Sequence, residues 1–198
     1  DIGNLLCETE KAATCGSLPI ELQTTKNIFA LMFLLRGIPF VDLAYLRKAD
    51  IQGNTLKYRR RKTGRLLTVM LTPDAIKLIR IVAKTKPESP YLFPFLSSPE
   101  GTEAAYHEYQ SSLRVFNYRL SRLKKYIKTA AHLSSYTIRH TWATMAYYCE
   151  IHPGIISEAM GHSSIKVTET YLKPFQNEKI DNANSQVISY VKEYAGIV

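Results

Sequence analysis

The amino-acid sequence predicts a mainly α-helical domain with one small antiparallel β-sheet, an α+β fold. Apolar residues recur at helical spacing along most of the chain, whereas only one pair of short segments has the composition of strands. These segments, 56–59 and 66–69, flank the basic turn 60–65 and therefore predict a β-hairpin. The length of 198 residues suits one domain with its own core, which we predict over residues 18–198. Residues 1–17 show little periodicity and are interpreted as a linker or as the end of a missing preceding segment.

The predicted helices begin and end at residues that favour helix termini. Thr24 or Thr25 is expected to cap the first helix, which ends at Arg36-Gly37. Pro153 suits the first turn of a later helix, and Gly161 suits its end. Segment 86–101, rich in Pro and Ser, is predicted to be irregular. The other predicted helices lie at about 41–46, 73–84, 104–129, 134–150 and 165–171, with a tail helix from about 178.

The charge balance indicates a polyanionic partner. There are 26 Lys and Arg against 17 Asp and Glu, which gives a formal net charge of +9. DNA, RNA or an anionic membrane surface would suit this charge, although a solvated basic surface gives the same composition. The longest apolar stretch, 28–35, is far too short to span a membrane, and no secretory leader is visible. Three cysteines without metal-ligand spacing favour a reduced, cytoplasmic setting and no metal.

One gapped motif carries most of the residues with chemical potential. It begins with Tyr136, Arg139 and His140 and ends with His162 and Tyr171. This pattern resembles the C-terminal half of the tyrosine recombinases, the phage integrase family. The match also includes Thr141, Ala143, Thr144, Gly161 and Thr168, and the sequence departs from the family at Tyr136, where His or Lys is usual. The resemblance extends over about residues 18–175 and implies the tyrosine recombinase catalytic-domain fold. It also implies a missing N-terminal DNA-binding domain, of which residues 1–17 would be the end.

The resemblance implies DNA cleavage and rejoining through a covalent bond to Tyr171. A phenol is a weak nucleophile, and a phosphodiester is anionic, so cleavage needs cationic donors and an acid for the leaving 5′ oxygen. Arg139 is expected to bind two phosphate oxygens with its planar fork, and His162 to add a hydrogen bond. The 3′-phosphotyrosyl intermediate conserves the bond energy, so no cofactor is expected. The family places a Lys in a hairpin turn, which implies Lys62 as the acid; the alternative is a solvated basic turn.

The first arginine of the family pattern has no direct counterpart. Aligning Gly37 and Asp42 with the family puts Pro39 at that position. We predict that Arg36 supplies the missing guanidinium from a shifted backbone position; the alternative is that it only caps its helix. Tyr136 is expected to donate a hydrogen bond to the phosphate or to pack in the core. His140 is interpreted as orienting Arg139 or another phosphate-site residue.

Further basic residues are predicted to contact the DNA backbone. One set lies in the hairpin turn and the other on the long helix, where a solvated face is the alternative. The partners implied are double-stranded DNA and three further copies, as a homotetramer on synapsed DNA that is monomeric when free. The apolar positions of the tail suit docking on a neighbouring subunit and equally suit packing on the tail's own domain. The predicted DNA-contacting residues are Arg60, Arg61, Arg65, Arg122, Lys124 and Lys125.

Three functions remain open from the sequence. The first is site-specific recombination in the integration or excision of a mobile element, in the cytoplasm and at the nucleoid when bound to DNA. The second is a DNA-binding relative without catalysis, because 153–171 resembles a helix-turn-helix and both Pro39 and Tyr136 depart from the pattern. The third is strand relaxation in the manner of a type IB topoisomerase.

Overall fold

The computed structural model describes residues 18–83, 85–127, 132–172, 174–175 and 177–194. These residues form a mainly helical domain with one three-stranded antiparallel sheet, which confirms the predicted fold class. The helices are α1 (Ile20–Leu34), α2 (Phe40–Ala44), α3 (Pro73–Val82), α4 (Glu103–Tyr126), α5 (Thr137–Tyr148), α6 (Pro153–Met160), α7 (Ile165–Glu169) and α8 (Asn177–Tyr194). The strands are β1 (Ile51–Gln52), β2 (Thr55–Arg59) and β3 (Leu66–Met70). The predicted linker, 1–17, lies outside the described residues.

Helix α1 begins earlier than the sequence predicted. The carbonyl of Pro19 accepts the backbone N–H groups of Leu22 and Gln23, so the helix already starts at Ile20. Thr24 and Thr25 do not cap it, because their hydroxyls bond back to carbonyls one turn earlier, at 2.9 and 2.7 Å. The predicted end is confirmed: Arg36 and Gly37 both adopt the left-handed conformation.

The hairpin follows the prediction, and β1 is an addition to it. Strands β2 and β3 pair antiparallel from Thr55 opposite Met70 to Arg59 opposite Leu66. Strand β1 adds to the edge of β2, and a two-residue strand has no period that a sequence pattern could show. Leu56 and Tyr58 lie on the buried face of β2, where side chains alternate between core and solvent.

The core forms around α1, which contacts α3, α4 and α5. Its buried apolar residues join those of the sheet in one large cluster. A second, smaller cluster lies between α5 and α6, where Ala143 and Ile156 are buried and Tyr171 packs against them. This smaller cluster fixes the segment that carries Tyr171.

The ends of α6 match their predicted signals. Pro153 is the first residue, and Gly161 follows the helix in the left-handed conformation. A Cβ on Gly161 would lie 3.0 Å from a methyl carbon of Leu67, so a glycine also permits the hairpin to approach α6. The helix predicted over 165–171 ends at Glu169. Helix α8, the predicted tail helix, has no buried residue and is exposed along most of its length.

Candidate active site

Three separate parts of the chain bring the motif residues together. Arg139 lies in the first turn of α5, His162 follows α6, and Tyr171 follows α7. The left-handed Gly161 turns the chain between α6 and His162. The hairpin turn, which carries Lys62, lies against the same loop. The structure therefore assembles most of the predicted site at the junction of α5, α6 and the hairpin.

The phenol ring of Tyr171 lies between two histidine rings. The ring centroid of His140 is 4.3 Å from that of Tyr171, and the centroid of His162 is 5.2 Å away. The hydroxyl of Tyr136 donates to the hydroxyl oxygen of Tyr171 at 3.3 Å. The hydroxyl of Thr144 donates to the backbone carbonyl of Tyr171 at 3.1 Å. These contacts hold the phenol in a defined position at the surface of the site.

Arg139 is a buried cation beside Tyr171. Its side chain donates to the carbonyls of Gly37 and Met160 at 3.0 and 2.6 Å. Its Nε has no hydrogen-bond partner among the described residues. Burial lowers the pKa of Arg139, the charge of Arg60 lowers it further, and the phenol of Tyr171 opposes both effects. A Cβ on Gly37 would lie 3.0 Å from the Cα of Arg139, so this close approach needs a glycine.

His162 is buried and uncharged at neutral pH. Only 4% of the residue is exposed, and its Nδ1 lies 2.7 Å from the hydroxyl oxygen of Thr168. Its Nε2 has no hydrogen-bond partner within the described part of the chain. Burial, followed by the charges of Arg139, Arg60 and Lys62, lowers the pKa of His162 to about 4. His140 has a lowered pKa for similar reasons, burial and the charge of Arg139.

Arg60 belongs to the hairpin turn but is buried. We predicted that it contacts the DNA backbone; in the structure it is 7% exposed and pairs with the buried carboxylate of Asp42 at 2.7 Å. The backbone N–H of Arg61 donates to the same carboxylate at 3.0 Å. The charge of Arg60 lowers the pKa of both Arg139 and His162. The Nε of Arg60 has no hydrogen-bond partner among the described residues. Burial raises the pKa of Asp42, and the guanidinium of Arg60 opposes that rise.

A signal for the burial of Arg60 is present in the sequence. Leu56 and Tyr58 occupy the buried face of β2, and Arg60 is the next residue in this two-residue alternation. A charge at such a position requires a buried partner of opposite sign, which Asp42 provides. In the sequence, the basic neighbours of Arg60 on the hairpin turn mask this alternation.

Arg36 lies beside the cluster rather than within it. It lines an open cavity between β3 and α6, together with Arg65, Ile155 and Glu158. Burial raises the pKa of Tyr58, and the charge of Arg36 is among the charges that oppose this rise. Within the described residues, no hydrogen bond or ring contact joins Arg36 to Tyr171. The structure therefore favours Arg60 over Arg36 as the second guanidinium near Arg139.

The hairpin turn is fastened to the loop that carries His162. The hydroxyl of Thr63 donates to the carbonyl of Gly161 at 3.0 Å, and the guanidinium of Arg65 donates to the carbonyl of His162. Lys62 between them is exposed, and its charge contributes to the lowered pKa of His162. The sequence-predicted acid therefore extends from a turn that is anchored next to the site.

The remaining predicted DNA-contacting residues differ in their surroundings. Arg61 pairs with Glu100 and lies over the ring of Tyr45, with 3.7 Å between the guanidinium carbon and the ring centroid. Arg122 forms a 3.4 Å ion pair with Glu21. On the same helix, Lys124 is half-buried and Lys125 is exposed.

Two classes of site receive no support from the described residues. They contain no group of three or more His, Cys, Asp or Glu side chains arranged to hold a metal ion. None of the helices described here has both the length and the apolar character that a membrane span requires.

Comparison with solved structures identifies the fold. The chain is similar to the XerA recombinase (15% identity, TM-score 0.57), covering 87% of this chain and 65% of that one. It is also similar to the XerH site-specific recombinase, with 16% identity and a TM-score of 0.64; the match covers 93% of this chain and 50% of that one. For the Tn1549 transposon integrase, the identity is 13%, the TM-score is 0.62, and the match covers 94% of this chain and 64% of that one. The fold is that of the tyrosine recombinase catalytic domain, and the chain spans 50% to 65% of the length of these three proteins.

The family itself follows from the sequence comparison. The model of the phage integrase family matches residues 13–178, and the chain belongs to this family. No curated protein sequence matches the chain.

Proposed function

We propose that this chain is the catalytic part of a site-specific DNA recombinase that cleaves and rejoins DNA through Tyr171. The observation that carries the proposal is the position of this phenol, in contact with two histidine rings and beside the buried cation Arg139. The DNA complexes of similar proteins support the nature of the substrate. The Tn1549 integrase is in complex with transposon right end DNA, and a λ integrase dimer is bound to a core site.

The proposed reaction exchanges one phosphate ester for another. The oxygen of Tyr171 attacks the scissile phosphorus and releases its proton to solvent, while the bond from phosphorus to the 5′ oxygen breaks. Lys62 gives a proton to that leaving oxygen, since an alkoxide leaves poorly without one. Rejoining is the reverse: a 5′ hydroxyl attacks the 3′-phosphotyrosyl bond and releases the phenol. The bond count is conserved, so neither step consumes a nucleotide.

Two guanidinium groups are proposed to bind the scissile phosphate. Arg139 and Arg60 are both buried and repel one another. Among the described residues, the one carboxylate that pairs with either guanidinium is that of Asp42, which pairs with Arg60. Each also has an Nε without a partner among the described residues. A phosphate between them would relieve the repulsion and accept from the unpartnered N–H groups. We therefore propose Arg60, and not Arg36 as the sequence predicted, as the second guanidinium that binds the phosphate.

Tyr136 is proposed to act on the nucleophile. Its hydroxyl donates to the oxygen of Tyr171, and a hydrogen bond to a phenol oxygen strengthens when that oxygen becomes charged. The pKa of Tyr136 is raised, first by this hydrogen bond, so Tyr136 keeps its own proton. This role would account for a tyrosine at a position where the family usually has His or Lys.

The assembly on DNA is also a proposal. Helix α8 exposes Ile180, Val187 and Val191, and these apolar side chains suit the surface of a neighbouring subunit. We propose double-stranded DNA as the partner and a homotetramer on two synapsed sites, formed from monomers. The biological role would be integration or excision of a mobile element, in the cytoplasm and at the nucleoid.

A nicked DNA substrate tests the proposal directly. The full-length protein is incubated with duplexes that span the junctions of the DNA segment encoding it, each nicked so that the cleaved fragment diffuses away. Denaturing electrophoresis is expected to show a protein–DNA adduct that Tyr171→Phe abolishes. DNA binding without an adduct would instead support a non-catalytic DNA-binding protein. Adduct formation with relaxation of supercoiled plasmid and no strand exchange would support a type IB topoisomerase activity.

A further inference from the structure

Thr168 connects the two groups that flank the reacting phosphate in the proposed function. Its side chain is completely buried in α7, and its hydroxyl oxygen lies 2.7 Å from Nδ1 of His162. Its backbone carbonyl accepts the N–H of Tyr171 at 2.9 Å. One residue thus contacts both the histidine and the backbone of the nucleophile. The motif match included Thr168, but no role was assigned to it.

We propose that Thr168 is a positioning residue that holds His162 as the neutral tautomer with its proton on Nε2, directed toward the phosphate. The role of this tautomer, which is to donate to the phosphate, rests on the proposed function. The tautomer itself is a property of the DNA-free protein and does not depend on that function. In this arrangement Thr168 donates its hydroxyl proton to Nδ1. The Nε2–H group then becomes the donor that a phosphate oxygen accepts.

The hydrogen-bond inventory of the two side chains supports this direction. A neutral imidazole carries one N–H, and a threonine hydroxyl carries one O–H. If Nδ1 of His162 donated to Thr168, the hydroxyl proton would need another acceptor. The hydrogen bonds of the described residues give the hydroxyl of Thr168 no acceptor except His162. A buried hydroxyl proton without an acceptor disfavours that alternative by about tenfold or more.

The surroundings of Nε2 point to a ligand. This atom is buried and has no hydrogen-bond partner within the described residues, and such orphaned polar atoms are rare unless a ligand or water satisfies them. The ring stacks on that of Tyr171, with 25° between their planes and 5.2 Å between their centroids, so this histidine lies directly beside the nucleophile. The pKa of His162, lowered to about 4, keeps the ring neutral near pH 7, and a neutral ring needs a fixed tautomer to be a donor.

Nitrogen NMR of the DNA-free protein tests the tautomer. The ring nitrogens of His162 are assigned by their loss in His162→Gln. We expect the protonated nitrogen to be Nε2, and the Nδ1 resonance to move in Thr168→Val but remain close to wild type in Thr168→Ser. A proton on Nδ1, or an Nδ1 resonance that does not respond to Thr168→Val, would overturn the proposal. This readout does not depend on DNA cleavage, so it stands even if the proposed function fails.

Cleavage measurements test whether Thr168 acts through His162. Thr168→Val is expected to slow adduct formation by about tenfold, the effect of removing one hydrogen bond to an active-site group, and Thr168→Ser to retain most of the rate. In a His162→Gln background, Thr168→Val is expected to add no further loss. An equal loss in both backgrounds would show that Thr168 acts on the fold or on Tyr171 alone, and would overturn the proposal. Urea unfolding of each variant identifies any that does not fold.

Discussion

Acidification is expected to destabilise the folded domain through His162. The folded state lowers the pKa of this buried ring to about 4, whereas an unfolded chain restores it to about 6.5. Between these two values the unfolded chain binds the proton more tightly than the folded one. Unfolding therefore takes up a proton in this window, and the free energy of unfolding falls as the pH decreases from about 6.5 to 4.

The size of the effect follows from the same two pKa values. Each pKa unit corresponds to about 1.4 kcal/mol, so the fall from about 6.5 to 4 corresponds to about 3.5 kcal/mol in full, of which about 3 kcal/mol is lost by pH 4. Because His162 is only 4% exposed, little of this is lost to solvent screening. A loss of this size is a large fraction of the stability of an ordinary domain, about 5–15 kcal/mol.

Urea unfolding of matched proteins measures this contribution. Wild type and His162→Gln are compared by circular dichroism at several pH values between about 7 and 4. The variant lacks the titrating ring but keeps His140, whose pKa is also lowered, so the difference between the two curves isolates His162. We expect the wild type to lose up to about 3 kcal/mol more than the variant across this range. Parallel curves would show that burial does not suppress protonation of His162, and the reasoning about its neutral state would be wrong.

Three further outcomes are expected. Arg60→Lys keeps the charge beside Asp42 but loses the planar fork, so adduct formation in single-turnover assays should slow about 100-fold. The control Arg36→Lys should form the adduct at a rate within about threefold of wild type. The reverse order would assign the second guanidinium to Arg36. Tyr136→Phe removes the donor to the phenol oxygen and should slow cleavage by about tenfold; an unchanged rate would show that this hydrogen bond does not act on the nucleophile. Asp42→Asn leaves the guanidinium of Arg60 buried without a counter-charge and should lower the free energy of unfolding, measured in urea, by about 3–5 kcal/mol. The control Asp181→Asn changes an exposed carboxylate and should lower it by less than about 0.5 kcal/mol.

Local sequence patterns account for the hairpin and the helix ends that could be predicted from the sequence alone. The hairpin and most helix ends follow from periodicity and from residues such as Pro153 and Gly161, whose backbone preferences act within one turn. The first helix is an exception, because the carbonyl of Pro19 starts it before the threonines that were expected to cap it. Strand β1 was missed because two residues cannot display a period.

The sequence by itself determined the fold class, the family and the motif that contains Arg139, His162 and Tyr171, since spacing and residue type along the chain are enough for these. Only the tertiary structure decided which arginine accompanies Arg139. Arg60 is buried because the carboxylate of Asp42, on a different element, lies within 2.7 Å of it. A charge enters a protein interior only where a partner compensates its lost hydration, and that partner is set by packing in three dimensions rather than by distance along the chain.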